Sequence, residues 1–169
     1  MAARLADLLA GLEVRRFPEG TRTADDAARA VGCALGQIVK SLVFSAGGRP
    51  VVALVSGSNR LDPNRLAALA GGPVAKLDAN SARAATGYSI GGVPPFGHAS
   101  RLPVYIDREL LGFTVVWAAA GRPDSVFSIS PARLVELSGG QVADLAAASA
   151  GSVDGLENQS AAGNRQEEG

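Results

Sequence analysis

Ile38-Val39-Lys40-Ser41-Leu42-Val43-Phe44-Ser45-Ala46, then Gly47-Gly48-Arg49-Pro50, then Val51-Val52-Ala53-Leu54-Val55, is the stretch that decides the fold. The first run reads as a buried β-strand, the Gly-Gly-Arg-Pro segment as a hairpin-like turn, and the last run as a second strand. One residue does not fit. Lys40 puts an ammonium into an otherwise apolar strand, where it must be desolvated, paired or placed at the mouth of a pocket. The chain has fourteen arginines and only two lysines, Lys40 and Lys76, so a compact amine at this position suggests chemistry or ligand contact. The plainer reading is an edge strand whose lysine reaches water along its alkyl stem. The strand alone leaves both open.

Helices and strands alternate on either side of the hairpin. Leu5, Leu8, Leu9 and Leu12 have helical spacing over residues 2–12. Val14 to Phe17 forms a short strand, stopped by Pro18-Glu19-Gly20. Thr23 caps a second helix, with Asp26 at capping-box spacing and Gly32 at its end. Asp62-Pro63 and Ser130-Pro131 each place a cap before a proline at the first helical position. Val74–Leu77 reads as a short strand and 78–86 as an Ala-rich helix. Leu102–Ile106, Phe113–Ala118 and Val126–Ile129 read as strands, and Val142 begins a last one. Pro103 argues that its strand lies at a sheet edge. Interleaved helices and strands with hairpin turns suit a mixed sheet better than a purely parallel one.

Composition narrows the function. The 169 residues suit one domain, expected over 1–150, with 151–169 as a polar tail lacking periodicity. Net charge is zero, which gives no sign of binding driven by a large basic surface. Aromatic content of 5% does not suit a platform stacking several bases. The single cysteine, Cys33, excludes an internal disulfide and a Cys-rich zinc site, and reads as small core filler. An early acid at the N-terminus and the lack of an 18-residue apolar run predict a cytoplasmic protein with no membrane partner.

The second unusual segment is Thr86-Gly87-Tyr88-Ser89-Ile90-Gly91-Gly92-Val93-Pro94-Pro95-Phe96-Gly97-His98. Residues 87–101 form an irregular stretch of a length often found at functional sites. A stiff Gly/Pro loop can present main-chain groups to a ligand at low entropic cost. It has neither the G-x-G-x-x-G spacing of a dinucleotide fold nor the Gly-Lys-Ser/Thr of a phosphate loop. His98 is the only histidine, and no neighbouring carboxylate pattern makes it a metal ligand. No G-x-S-x-G elbow occurs. Asp107 reads as a strand-end carboxylate, with pairing to a nearby arginine the commoner arrangement.

Four segments carry a family resemblance. Thr23-Ala24-Asp25-Asp26-Ala27-Ala28, Ile38-Val39-Lys40-Ser41-Leu42-Val43-Phe44, Gly91-Gly92-Val93-Pro94-Pro95-Phe96-Gly97 after Thr86-Gly87-Tyr88, and Val104-Tyr105-Ile106-Asp107 occur in the order seen in the YbaK/EbsC family. That family comprises aminoacyl-tRNA deacylases related to the editing domain of bacterial prolyl-tRNA synthetase. The resemblance spans about residues 1–145. It implies an α+β fold with a mixed, partly barrel-like sheet flanked by helices. It further implies hydrolysis of the ester that joins a wrong, small amino acid to the 3′-terminal adenosine of tRNA, without metal or other cofactor. The family's lysine maps to Lys40, as the catalytic residue. Its Gly-x-x-x-Pro loop maps to Gly91 and Pro95, which makes Gly92, Gly97 and His98 expected substrate contacts. The partner implied is aminoacyl-tRNA, with an aminoacyl-tRNA synthetase as a further candidate. The chain has no room for a synthetase catalytic domain, so free-standing editing is expected. Two other readings stand beside it: a non-catalytic module that binds tRNA ends or a small ligand, and a lyase using Lys40 as a Schiff-base amine.

Overall fold

The computed structural model describes residues 2–21 and 23–147, so the expected tail at 151–169 lies outside the described residues. The elements run α1 (Ala2–Leu9), β1 (Val14–Arg16), α2 (Ala24–Val31), β2 (Val39–Ala46), β3 (Arg49–Ser56), α3 (Pro63–Ala70), β4 (Val74–Lys76), α4 (Ala79–Thr86), β5 (Val104–Asp107), β6 (Val116–Ala119), β7 (Ser125–Ile129), α5 (Pro131–Ser138) and β8 (Gln141–Ala143). The expected hairpin forms. β2 and β3 pair antiparallel along their whole length, from Val39 opposite Ser56 to Ala46 opposite Arg49.

These strands are the centre of a five-stranded sheet ordered β4-β2-β3-β5-β8, and a three-stranded sheet runs β1-β7-β6. β4 is antiparallel to β2, whereas β3-β5 and β5-β8 are parallel, so the larger sheet is mixed. Ile38 bridges to Trp117 and links the two sheets at one corner, giving the partly barrel-like α+β architecture that the resemblance implied. Val52, Leu54, Ile106, Val116 and Phe127 are packed between the sheets, with the Phe96 and Phe127 rings 5.6 Å apart. Phe44, Ala53, Val55, Leu66 and Leu145 fill the other face of the larger sheet. Both faces of β3 are therefore covered, which explains why it reads as an unbroken apolar run rather than an alternating one.

The local signals account for the helices. The Thr23 hydroxyl accepts the Asp26 N–H at 3.0 Å, and Asp62 accepts that of Asn64 at 2.9 Å ahead of Pro63. Asp78 and Ser130 cap α4 and α5 in the same way. Gly32, at φ 84°, closes α2 in a left-handed conformation that a side chain would disfavour.

Two expectations need correction. β5 is not an edge strand, because β3 and β8 flank it. Pro103 lies one residue ahead of the strand and contributes only its carbonyl, which accepts the Val52 N–H at 3.0 Å, so its missing donor leaves no gap. The strand expected from Phe113 begins at Val116; a 3-10 turn over Arg108–Gly112 comes first, and Phe113 caps it.

Candidate functional site

β4 covers the outer edge of β2 only at Phe44, Ser45 and Ala46, opposite Lys76, Ala75 and Val74. From Val39 to Leu42 that edge has no β4 neighbour. A cleft of about 350 Å³ occupies the space between this free edge and β6. Its walls come from β2 (Val39–Leu42), β6 (Trp117–Ala119), the start of α2 (Thr23, Ala24, Ala27) and the Gly/Pro loop (Ile90, Gly91, Val93). Most of these side chains are apolar, and among the described residues Lys40 is the cation in the lining.

Lys40 does stand at a free stretch of edge, yet its amine is anchored. Nζ donates to the Asn59 carbonyl at 2.5 Å. Asn59 is itself held, because its side-chain amide donates to Asp107 Oδ2 at 2.9 Å. The same oxygen accepts the Ser56 N–H at 3.0 Å, and Oδ1 accepts the Glu109 N–H at 3.0 Å. Asp107 is 1% exposed and pairs with no arginine among the described residues, contrary to the commoner arrangement. Backbone and amide donors satisfy it, so its charge remains available to the Lys40 ammonium. Burial pushes the Lys40 pKa down, the Asp107 charge pulls it back up, and the neighbouring Arg60 pushes it down again. The result is an amine held in fixed geometry, with less hold on its proton than a free lysine.

The loop residues divide into three groups. Gly91 lines the cleft beside Lys40, at φ 94°, next to Ile90, which is 59% exposed. Gly92 is buried behind this wall, where a β-carbon would lie 3.0 Å from the Arg122 backbone. A side chain there would fit only if the loop or the Arg122 backbone gave way slightly. Pro95 is buried too. Gly97 and His98 instead line a separate depression of about 520 Å³ with Arg4, Arg101 and Glu136. His98 Nε2 lies 2.7 Å from the Pro94 carbonyl; as a neutral ring it donates there and braces the loop. Burial lowers the His98 pKa, and the bond to Pro94 partly offsets this.

The sequence reading did not single out Ser41 or Trp117 as cleft residues. Ser41 had a signal in its place beside Lys40. Trp117 had none at short range, because the cleft forms only where two sheets meet.

Fold and cleft together define a class: a small two-sheet α+β domain with a lysine fixed at the free edge of a strand. Residues 18–137 match the family model described as an aminoacyl-tRNA editing domain, and the chain belongs to that family. EbsC of Enterococcus faecalis, which carries a provisional designation as a Cys-tRNA(Pro)/Cys-tRNA(Cys) deacylase, is 31% identical over 132 residues, spanning 76% of this chain and 80% of EbsC. A crystal structure provisionally described as a trans-editing enzyme for prolyl-tRNA synthetase superposes with a TM-score of 0.81 at 47% identity, covering 87% of this chain and 97% of that one. The proline–tRNA ligase of Elusimicrobium minutum is 29% identical over 149 residues, which is 85% of this chain but 26% of the ligase. The kinship to a prolyl-tRNA synthetase thus concerns one segment of that enzyme.

Proposed function

We propose that this chain is a trans-editing deacylase that hydrolyses the ester between a small amino acid and the 3′-terminal adenosine of a mischarged tRNA. The observation that carries the reading is Lys40, which lines a cleft and whose ammonium is fixed by Asn59, in a chain of the editing family. A cleft of about 350 Å³ suits an aminoacyl-ribose end rather than several nucleotides. Its apolar walls and the indole of Trp117 favour a short side chain. The designation of EbsC supports the same substrate class.

In the reaction, water adds to the ester carbonyl carbon and the bond from that carbon to the ribose oxygen breaks. The water's proton ends on the ribose hydroxyl, leaving a free amino acid and uncharged tRNA. Negative charge grows on the carbonyl oxygen as water adds. Lys40 offsets that charge or holds the neighbouring phosphate, and being already anchored it needs little reorganisation. Gly91 lets the ester approach the loop's main chain without meeting a side chain. Among the described residues no three His, Cys, Asp or Glu side chains stand together as metal ligands. Such a substrate implies a cytoplasmic protein, with a prolyl-tRNA synthetase as the natural partner. Among the described residues no helix is long and apolar enough to cross a membrane.

The test is deacylation of a panel of tRNAs charged with small amino acids, by the native protein and by Lys40→Ala. Removal of one preorganised charge should cost about 10²–10³-fold in rate. Native activity in a folded Lys40→Ala protein would overturn the assignment. Binding of charged tRNA without hydrolysis by the native protein would favour a non-catalytic module.

A further inference from the structure

Exposure along the cleft is uneven. Its floor is a packed group, Ala27, Ile38, Trp117 and Val126, each 6% exposed. Its rim carries Ile90, 59% exposed. Val14 and Leu111 are the other large apolar side chains left open among the described residues, and neither lines the cleft. A tight turn holds Ile90 in place. The Gly92 N–H donates to the Ser89 carbonyl at 2.9 Å, and Gly91, at φ 94°, takes the third position, where a type II turn needs glycine. Behind the turn, Gly92 rests against the Arg122 backbone. A single exposed apolar residue is ordinary, but one fixed at the mouth of an apolar cleft is a ready contact for whatever enters.

We infer that Ile90 is the platform on which the terminal adenine of the substrate rests, while the aminoacyl side chain goes to the floor of the cleft. The inference rests on the deacylase reading and deepens it, by assigning the two ends of the substrate to the two levels of the site. An adenine at the floor would be stripped of water along its polar edge among apolar side chains. The hydroxyls of Thr21 and Thr23 offer it little, because the first donates to the Pro123 carbonyl at 3.0 Å and the second accepts the Asp26 N–H. A short aliphatic side chain loses nothing there. At the rim the balance reverses: the base keeps its polar edge in water and covers the open face of Ile90. Aromatic rings are the usual partners of a base, but Trp117 is the one aromatic residue in the lining. It lies at the floor, with the Arg15 guanidinium 4.7 Å from its ring centre, so an aliphatic side chain takes the part.

Two hydrolysis-resistant analogues that differ only in the base make the discriminating pair. One is an alanyl group amide-linked to 3′-amino-3′-deoxyadenosine. The other is the same amide on a ribose ring that carries hydrogen in place of the base. Binding of both to the native protein, Ile90→Ala and Ile90→Leu would be followed by NMR titration. The native protein should prefer the adenosine analogue by about tenfold, and Ile90→Ala should reduce its affinity for that analogue by about five- to tenfold. The base-free analogue should bind both within about twofold, and Ile90→Leu should restore most of the preference. On Ala-tRNA, Ile90→Ala should raise KM by a similar factor and leave kcat within about twofold, since the contact is the same before and during reaction. Both variants should melt near the native temperature, because the side chain is exposed. Equal losses on the two analogues, an unchanged affinity for the adenosine analogue in Ile90→Ala, or no native preference for the base would overturn the inference. A native protein that prefers the adenosine analogue through Ile90 but hydrolyses no charged tRNA would refute the deacylase reading and keep the role of Ile90. Lys40-dependent hydrolysis with a native KM in Ile90→Ala would do the reverse.

Discussion

The two halves of β2 are made of similar residues and do different work. From Phe44 to Ala46 the strand lies between β4 and β3, with both edges paired. From Val39 to Leu42 only the β3 side is paired, and the other side is the wall of a cleft. The first half closes the sheet. The second leaves a strand edge inside the protein, where Val39, Lys40, Ser41 and Leu42 border a space of ligand size. Stopping β4 after three residues is what creates the site, so the site depends on where a short strand ends as much as on what Lys40 is.

This contrast predicts how substitutions divide. In the paired half, Phe44→Ala should cost about 3–5 kcal/mol of stability by chemical denaturation, since the ring is buried against Val51 and Leu66. Deacylation per folded molecule should change little. If Phe44→Ala instead abolished activity at full stability, the division would fail. Behind the cleft, Gly92→Ala should displace either the loop or the Arg122 turn, costing about 1–3 kcal/mol and a measurable share of activity. Gly92→Ala with native stability and rate would show that the loop is not held by that contact. The smallest effect concerns His98, which lies outside the cleft. Its lowered pKa means that the unfolded chain takes up a proton more readily than the folded one. Stability is therefore full above the unfolded-state value of about 6.5 and falls as pH drops through it toward the folded-state value. Thermal melts from pH 7.5 to 5 should show a shallow decline that is weaker in His98→Gln, with the activity of His98→Gln at pH 7.5 close to native.

Much of this was legible in the sequence for reasons of short range. The hairpin could be read because its turn residues lie between two apolar runs, and the helices because each cap sits next to its proline or three residues from the N–H it accepts. Lys40 was legible because a charge in an apolar strand needs a reason. What could not be read was set by contacts between distant segments. Pro103 suggested an edge, but whether a strand is flanked depends on β8, about forty residues later. Asp107 suggested an arginine partner, but Asn59 and two backbone donors satisfy it. Gly91 and Gly97 look alike in one loop, yet one faces the Lys40 cleft and the other rests under Leu5 of α1. Ser41 could be named in the sequence, but that its hydroxyl lacks a partner follows only from its neighbours in three dimensions.

The most direct test is the pH dependence of deacylation by the native protein beside Lys40→Ala, after subtraction of the uncatalysed rate. With its pKa lowered by burial, Lys40 loses its proton at a lower pH than a free lysine. On the proposed mechanism the charged form is the active one, so the catalysed rate should hold at neutral pH and fall on the alkaline side before an ordinary lysine would titrate. Lys40→Ala should lose at least about 10²-fold at neutral pH, show no such limb and melt near the native temperature. A catalysed rate that persists in Lys40→Ala with the same pH profile would contradict the account.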